Sequence, residues 1–214
     1  MNGRTLTALV ALVLVGWWFS PMSPRAPAAA PAHAAGDTTR CELPPRVSAF
    51  ADPLQTPVPG DLQPFRLQAA TLRPLAGFSV DARVLSRRDY DSGRESTLSP
   101  VDFALGWGRM REDEVIERLN IRQSGRWYRY SYTGEPPIPA SAIVRSSANM
   151  HMIPSAEDVA QALDAVEAGD RVRIDGWLVE ARADDGWRWR SSTSREDSGG
   201  GACEVVYVCA VQRY

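Results

Sequence analysis

Residues 155–176 read SAEDVAQALDAVEAGDRVRIDG, and a change of period inside this stretch decides the fold class. In its first half Val159, Ala162, Leu163 and Val166 recur at i, i+3, i+4 and i+7, which is one face of an α-helix. Ser155 as N-cap, Asp158 at the capping-box position and Gly169 as the stop predict a helix over 155–168. After Gly169-Asp170 the pattern switches, and Val172 and Ile174 alternate with Arg171, Arg173 and Asp175 as in a half-buried strand.

Outward from this centre the signal is mainly strand, over 67–72, 79–85, 127–132, 171–181, 187–193 and 203–212. Asp184-Asp185-Gly186 is a hairpin turn, and Gly199-Gly200-Gly201 loosens the next connection. A second short helix is predicted over 112–119, with Glu112, Asp113 and Glu114 in its first turn. A helical turn is predicted from Ser99, with Pro100 at its first position and Gly106 ending it. Together these predict an α+β chain, mainly β, built as a small OB-like or SH3-like barrel with the 155–168 helix between its third and fourth strands.

The ends of the chain read differently. Leu6 to Phe19 is uncharged and rich in Leu, Val and Ala, so residues 1–22 are predicted to be a signal peptide or an N-terminal membrane anchor. Cleavage after Ala34 and retention as a single transmembrane helix both remain open. Residues 21–35 hold four Pro and seven Ala, so 23–64 is expected to be a stalk and irregular segment. Residues 65–214 are expected to form a single globular domain. The chain is expected to lie at the outer face of the inner membrane, or in the periplasm if cleaved.

The 214 residues carry 24 basic and 26 acidic side chains, for a net charge of −2. That balance excludes a strongly basic nucleic-acid binder. All 24 basic residues are Arg, so every mechanism needing a lysine amine is excluded. Cys203 and Cys209 flank a strand-like run and would stand about 20 Å apart, beyond disulfide reach. An exported chain with three cysteines therefore pairs Cys41 with Cys203 or Cys209.

Few residues carry chemistry. The stretch Ser147 to Pro154 followed by Gly169-Asp170 is superficially like the boxes of signal peptidases, but those enzymes pair the serine with a Lys, which this chain lacks, or in some branches with a His, for which His151 lies too close in sequence. Ser147 and His151 are the weak catalytic candidates, and a serine-type hydrolase is the alternative to a binding module; a scaffold without ligand is a third. His33 and His151 are the two histidines, too few for a metal site, and no cofactor is expected. Aromatic and arginine residues alternate over 126–130 and 187–190. Trp107, Arg126, Trp127, Asn149, His151 and Arg190 are thus the candidate partner-binding residues. Ser191 to Gly199 reads as a polar hairpin loop. An envelope protein or a glycan is the expected partner, with the membrane reached through the N-terminal segment.

The elements SPVDFALGWG (99–108), QSGRWY (123–128), SANMHMIP (147–154) and DGWRWRSS (185–192) through GACE (201–204) resemble a family of uncharacterised, membrane-anchored bacterial proteins. The resemblance covers most of the chain from about Phe65. It implies a coherent domain in the bacterial envelope and carries no activity, cofactor or site residue with it.

Overall fold

A computed structural model describes residues 41–68, 70–197 and 199–214. The strands are β1 (Leu54–Thr56), β2 (Phe65–Leu67), β3 (Ala70–Asp89), β4 (Val101–Gly106), β5 (Asn120–Ser124), β6 (Trp127–Ser131), β7 (Ser147–Pro154), β8 (Arg171–Ala183), β9 (Arg188–Arg190) and β10 (Glu204–Arg213). Three helices join them: α1 (Asp113–Ile116), α2 (Ala140–Arg145) and α3 (Glu157–Asp164).

Strands β3, β4, β7, β10 and β8 pair in that order, and β8 pairs back to β3. The contact of β7 with β10 is parallel, and the other four are antiparallel. Helix α3 lies between β7 and β8, the third and fourth of these five strands in chain order, which β10 separates in the circuit. Val159 and Leu163 pack into the interior with Phe78, Phe103, Met152, Ile174 and Val206.

The circuit does not make the small OB-like or SH3-like barrel expected from sequence. Its five strands form an unevenly curved ring, accompanied among the described residues by three helices rather than two. One physical reason is the length of β3, which follows β8 from Ala70↔Ala183 to Arg83↔Arg171. Its register breaks at Pro74/Ala76, where proline has no N–H to donate, and again at Val84/Ser86. Bulges of this kind bend a strand locally. A second reason is that β8 is buried on both faces. Ile174 and Leu178 face the ring interior, while Trp177, Val179 and Ala181 belong to an outer core with Leu67, Leu72 and Tyr207. A third core of Met110, Val115, Leu119, Ile138 and Ile143 lies beside the β5–β6 hairpin.

Several local expectations are corrected too. Residues 101–106 are strand β4 rather than a helical turn, because all six positions are buried between β3 and β7. The predicted strand 67–72 is two strands, reversing at Gln68, whose φ is +51°. The main helix covers 157–164, and Ala156, not Ser155, occupies its N-cap without a side-chain cap bond. Asp158 instead accepts the Val159 N–H at 2.9 Å. The second helix is a single turn at 113–116.

Residues before Phe65 join the fold. Cys41 is disulfide-bonded to Cys209, and Cys203 is the free cysteine. Trp177 Nε1 donates to the Glu42 carbonyl at 2.9 Å, and the buried Val47 N–H donates to Ser79 Oγ at 2.9 Å. The expected signal or anchor segment and the Pro/Ala-rich start of the stalk lie outside the described residues. Among the described residues no helix is long and apolar enough to cross a membrane, so the expected transmembrane helix is no part of the described fold.

Candidate functional site

Strands β5 and β6 turn back through Gly125 at φ +57° and Arg126 at φ +69°, the left-handed pair of a two-residue hairpin turn. Glycine adopts that conformation freely, whereas arginine does so at a cost of order 1 kcal/mol. The contacts of Arg126 offset that cost. Its Nη1 donates to Asp102 Oδ1 at 2.7 Å, its Nη2 to the Ser99 carbonyl at 2.8 Å, and its backbone N–H to Tyr90 Oη at 3.0 Å. The guanidinium also stacks 3.7 Å above the Tyr90 ring.

Asp102 is fully buried on β4. Its register partner is His151, and Asn149 lies two residues away on the same face of β7. Asn149 Nδ2 donates to Asp102 Oδ2 at 3.2 Å and to the Arg126 carbonyl at 3.1 Å. His151 Nδ1 stands 2.9 Å from Asp102 Oδ1, inside ion-pair distance but not aligned as a hydrogen bond. Its ring packs against Trp189 at 4.7 Å. Arg126, Asn149 and His151 are therefore brought together, around a carboxylate that sequence reasoning did not single out.

Beside this network opens a pocket of about 140 Å³. Trp107, Trp127, Tyr128 and Tyr130 give it an aromatic lining, and Ser147, Asn149, Arg195, Asp197, Cys203 and Glu204 its polar one. Trp107 is buried, whereas Trp127 on the hairpin is 38% exposed. Tyr128 Oη donates to Ser147 Oγ at 3.4 Å; burial pushes its phenol up to about 12 against that bond. Burial, with the nearby charges of Glu204 and Asp102, likewise pushes the Cys203 thiol up to about 12, which leaves it protonated and unreactive at neutral pH.

Glu204, at the start of β10, is 1% exposed. Burial raises its carboxyl to about 7, although the Arg195 guanidinium pulls the other way. Arg195 Nη2 pairs with Glu204 Oε1. Oε2 of Glu204 and Nε of Arg195 are both buried and have no hydrogen-bond partner among the described residues. The only signal for Glu204 in the sequence is a lone carboxylate heading the apolar run Val205 to Val208. Arg195 and Asp197 belong to the stretch read as an ordinary polar loop.

The remaining candidates fall elsewhere. Ser147 and His151 share a face of β7 four positions apart, about 13 Å along the strand, and Ser147 Oγ donates to the Ile143 carbonyl at 2.7 Å. They are not brought together as nucleophile and base. Arg190 Nη1 donates to Glu180 Oε2 at 2.7 Å, on the opposite face of β9 from Trp189. Among the described residues no group of three or more His, Cys, Asp and Glu side chains converges as a metal would require.

No family model matches the chain, and comparison with curated proteins finds no significant match.

Proposed function

We propose that this chain is an exported binding module of the cell envelope, whose pocket takes a small group projecting from an envelope partner. The observation that carries the reading is the pocket itself: an aromatic lining from four rings, with Trp127 exposed, and a buried carboxylate paired to a half-buried guanidinium, each keeping one buried polar atom without a hydrogen bond among the described residues. Concave, largely apolar sites with a few convergent polar groups are the usual form of a ligand site. Export is supported by the Cys41–Cys209 disulfide, since such bonds persist in oxidising compartments, and by the uncharged apolar run from Leu6 to Phe19. The ion pairs of Arg126 and Arg190 and the packing of His151 against Asp102 and Trp189 favour a supporting role for them, with Trp107 and Trp127 lining the ligand's place.

The test is photo-crosslinking in cells from a benzoylphenylalanine placed at Trp127, with Gln161 on the exposed face of α3 as control position. The expected result is a defined adduct at Trp127 that the control does not give. Equal labelling from both positions, or none from either, would overturn the reading.

A further inference from the structure

Glu204 and Arg195 form one ion pair inside the pocket, yet each keeps a buried polar atom of opposite kind without a partner among the described residues: the acceptor Oε2 and the donor Nε. A buried polar atom left unpaired is costly, and Glu204 is among the most deeply buried side chains lining the pocket. Native structures tolerate few such atoms, and two of complementary polarity on one ion pair call for a ligand that offers a donor and an acceptor together.

Three ligand chemistries can be weighed against this arrangement. An ammonium group would satisfy Oε2 but would bring a second positive charge beside the guanidinium already bonded to the same carboxylate, and would leave Nε unpaired. An anion would satisfy Nε but would meet Glu204 and Asp197. A hydroxyl is donor and acceptor at once. Two neighbouring hydroxyls satisfy both atoms without adding charge, and they do so whether the Glu204 carboxyl is ionised or protonated. The rest of the lining agrees. Trp127, Tyr128 and Tyr130 contribute apolar ring carbon to the lining, and Asp197 can accept a further hydroxyl.

We infer that the pocket binds a neutral saccharide ring, with adjacent hydroxyls paired to Glu204 Oε2 and Arg195 Nε and the C–H face of the ring against the aromatic lining headed by Trp127. This rests on the pocket being a ligand site, and names the chemical class of the group it takes.

The experiment uses the purified full chain on an array of neutral oligosaccharides, followed by calorimetric titration with the sugars that bind, their free monosaccharides, and n-butylammonium. Binding of a neutral sugar that falls at least tenfold in Trp127→Ala and in Glu204→Gln, with both variants retaining the wild-type circular dichroism, is the expected result. A free monosaccharide binding as tightly as the oligosaccharide assigns the site to a soluble sugar; binding by the oligosaccharide alone assigns it to a glycan chain. Trp127 is on the rim, so its truncation keeps the test valid even if Glu204→Gln fails to fold. Binding of butylammonium without binding of sugars overturns the saccharide class and leaves the pocket as a ligand site. Absence of any sugar binding, with a protein adduct at Trp127 in cells, does the same; absence of both removes the binding reading itself.

Discussion

Arg126 and Asp102, 24 positions apart in the chain, are joined at 2.7 Å through Nη1 and Oδ1, which ties the tip of the β5–β6 hairpin to the second strand of the ring. Asp102 is fully buried and Arg126 is 17% exposed at its side chain, so neither charge is screened by water as a surface pair would be. Removing the guanidinium strands a carboxylate with Asn149 and an unaligned His151.

Arg126→Ala is therefore expected to cost about 3–5 kcal/mol of unfolding free energy, the range for breaking a buried pair from one side. Asp102→Asn should also destabilise, because its single amide oxygen serves Arg126 or Asn149 but not both, and its NH2 then faces the other donor. A double-mutant cycle by urea denaturation should give a coupling above about 2 kcal/mol. Coupling near zero would mean that the hairpin is held by other contacts.

Glu204 makes stability fall with rising pH. Its carboxyl is raised from 4.5 to about 7 in the fold, so between those values the folded state holds the proton and the unfolded state has lost it. The stability Glu204 contributes is thus full below about 4.5 and is lost as pH rises to about 7, by an amount on the order of 3 kcal/mol. Urea midpoints of wild type and Glu204→Gln across pH 4–8 should differ in this slope. Parallel curves would contradict it.

Glu180 acts in the opposite sense and in a lower window. Burial alone would raise its carboxyl, but hydrogen bonds from Arg182 and Arg190, with the charges of Arg182 and Arg188, outweigh it and bring it to about 2. The stability this provides is present above about 4.5 and is lost as pH falls toward 2. Glu180→Gln should remove acid sensitivity in that window. Arg190→Ala should cost under about 1 kcal/mol at neutral pH, since Arg182 and Arg188 also pair with Glu180 and all three are substantially exposed.

Cys41 and Cys209 close a loop with a sequence separation of 168. Constraint of the unfolded chain by so long a loop is worth about 5 kcal/mol in the entropy model. Cys41→Ser with Cys209→Ser is expected to lower stability by about 2–5 kcal/mol, read as a lower thermal midpoint that reducing agent no longer shifts. An unchanged midpoint on reducing the wild type would count against a stabilising crosslink.

Gly176 sits where β8 crosses β10, and a Cβ there would meet the Tyr207 carbonyl oxygen at 2.1 Å. The obstacle is backbone and cannot rotate away. Gly176→Ala is expected to destabilise by about 3 kcal/mol, against less than about 0.5 kcal/mol for Gly200→Ala, which has open space around it. Comparable thermal midpoints for the two variants would show that β8 and β10 can separate without cost.

The amino-acid sequence by itself determined the α+β class, the helix around Val159 and Leu163, the strand around Val172 and Ile174, and the exclusion of lysine chemistry, because periodicity and residue type are local properties. It left Cys41 with two possible partners, and tertiary pairing of Cys41 beside the end of β10 decided for Cys209. Strand β4 was illegible because Ser99-Pro100 is a good helix start in isolation; burial on both faces between β3 and β7 overrides it. Strand β7 was hidden for a similar reason. Asn149 and His151 are polar on what becomes a buried face, and Asp102 from β4 with Gln123 and Arg126 from the β5–β6 hairpin make that burial tolerable. The uneven ring follows from bulges and a strand buried on both sides, which no single segment announces. Trp107, Trp127 and Asn149, which line the pocket, stand out in the sequence by residue type and neighbourhood, whereas Arg195 and Glu204 do not. Their significance is a pair of unpartnered buried atoms, and burial exists only once the chain has folded around them.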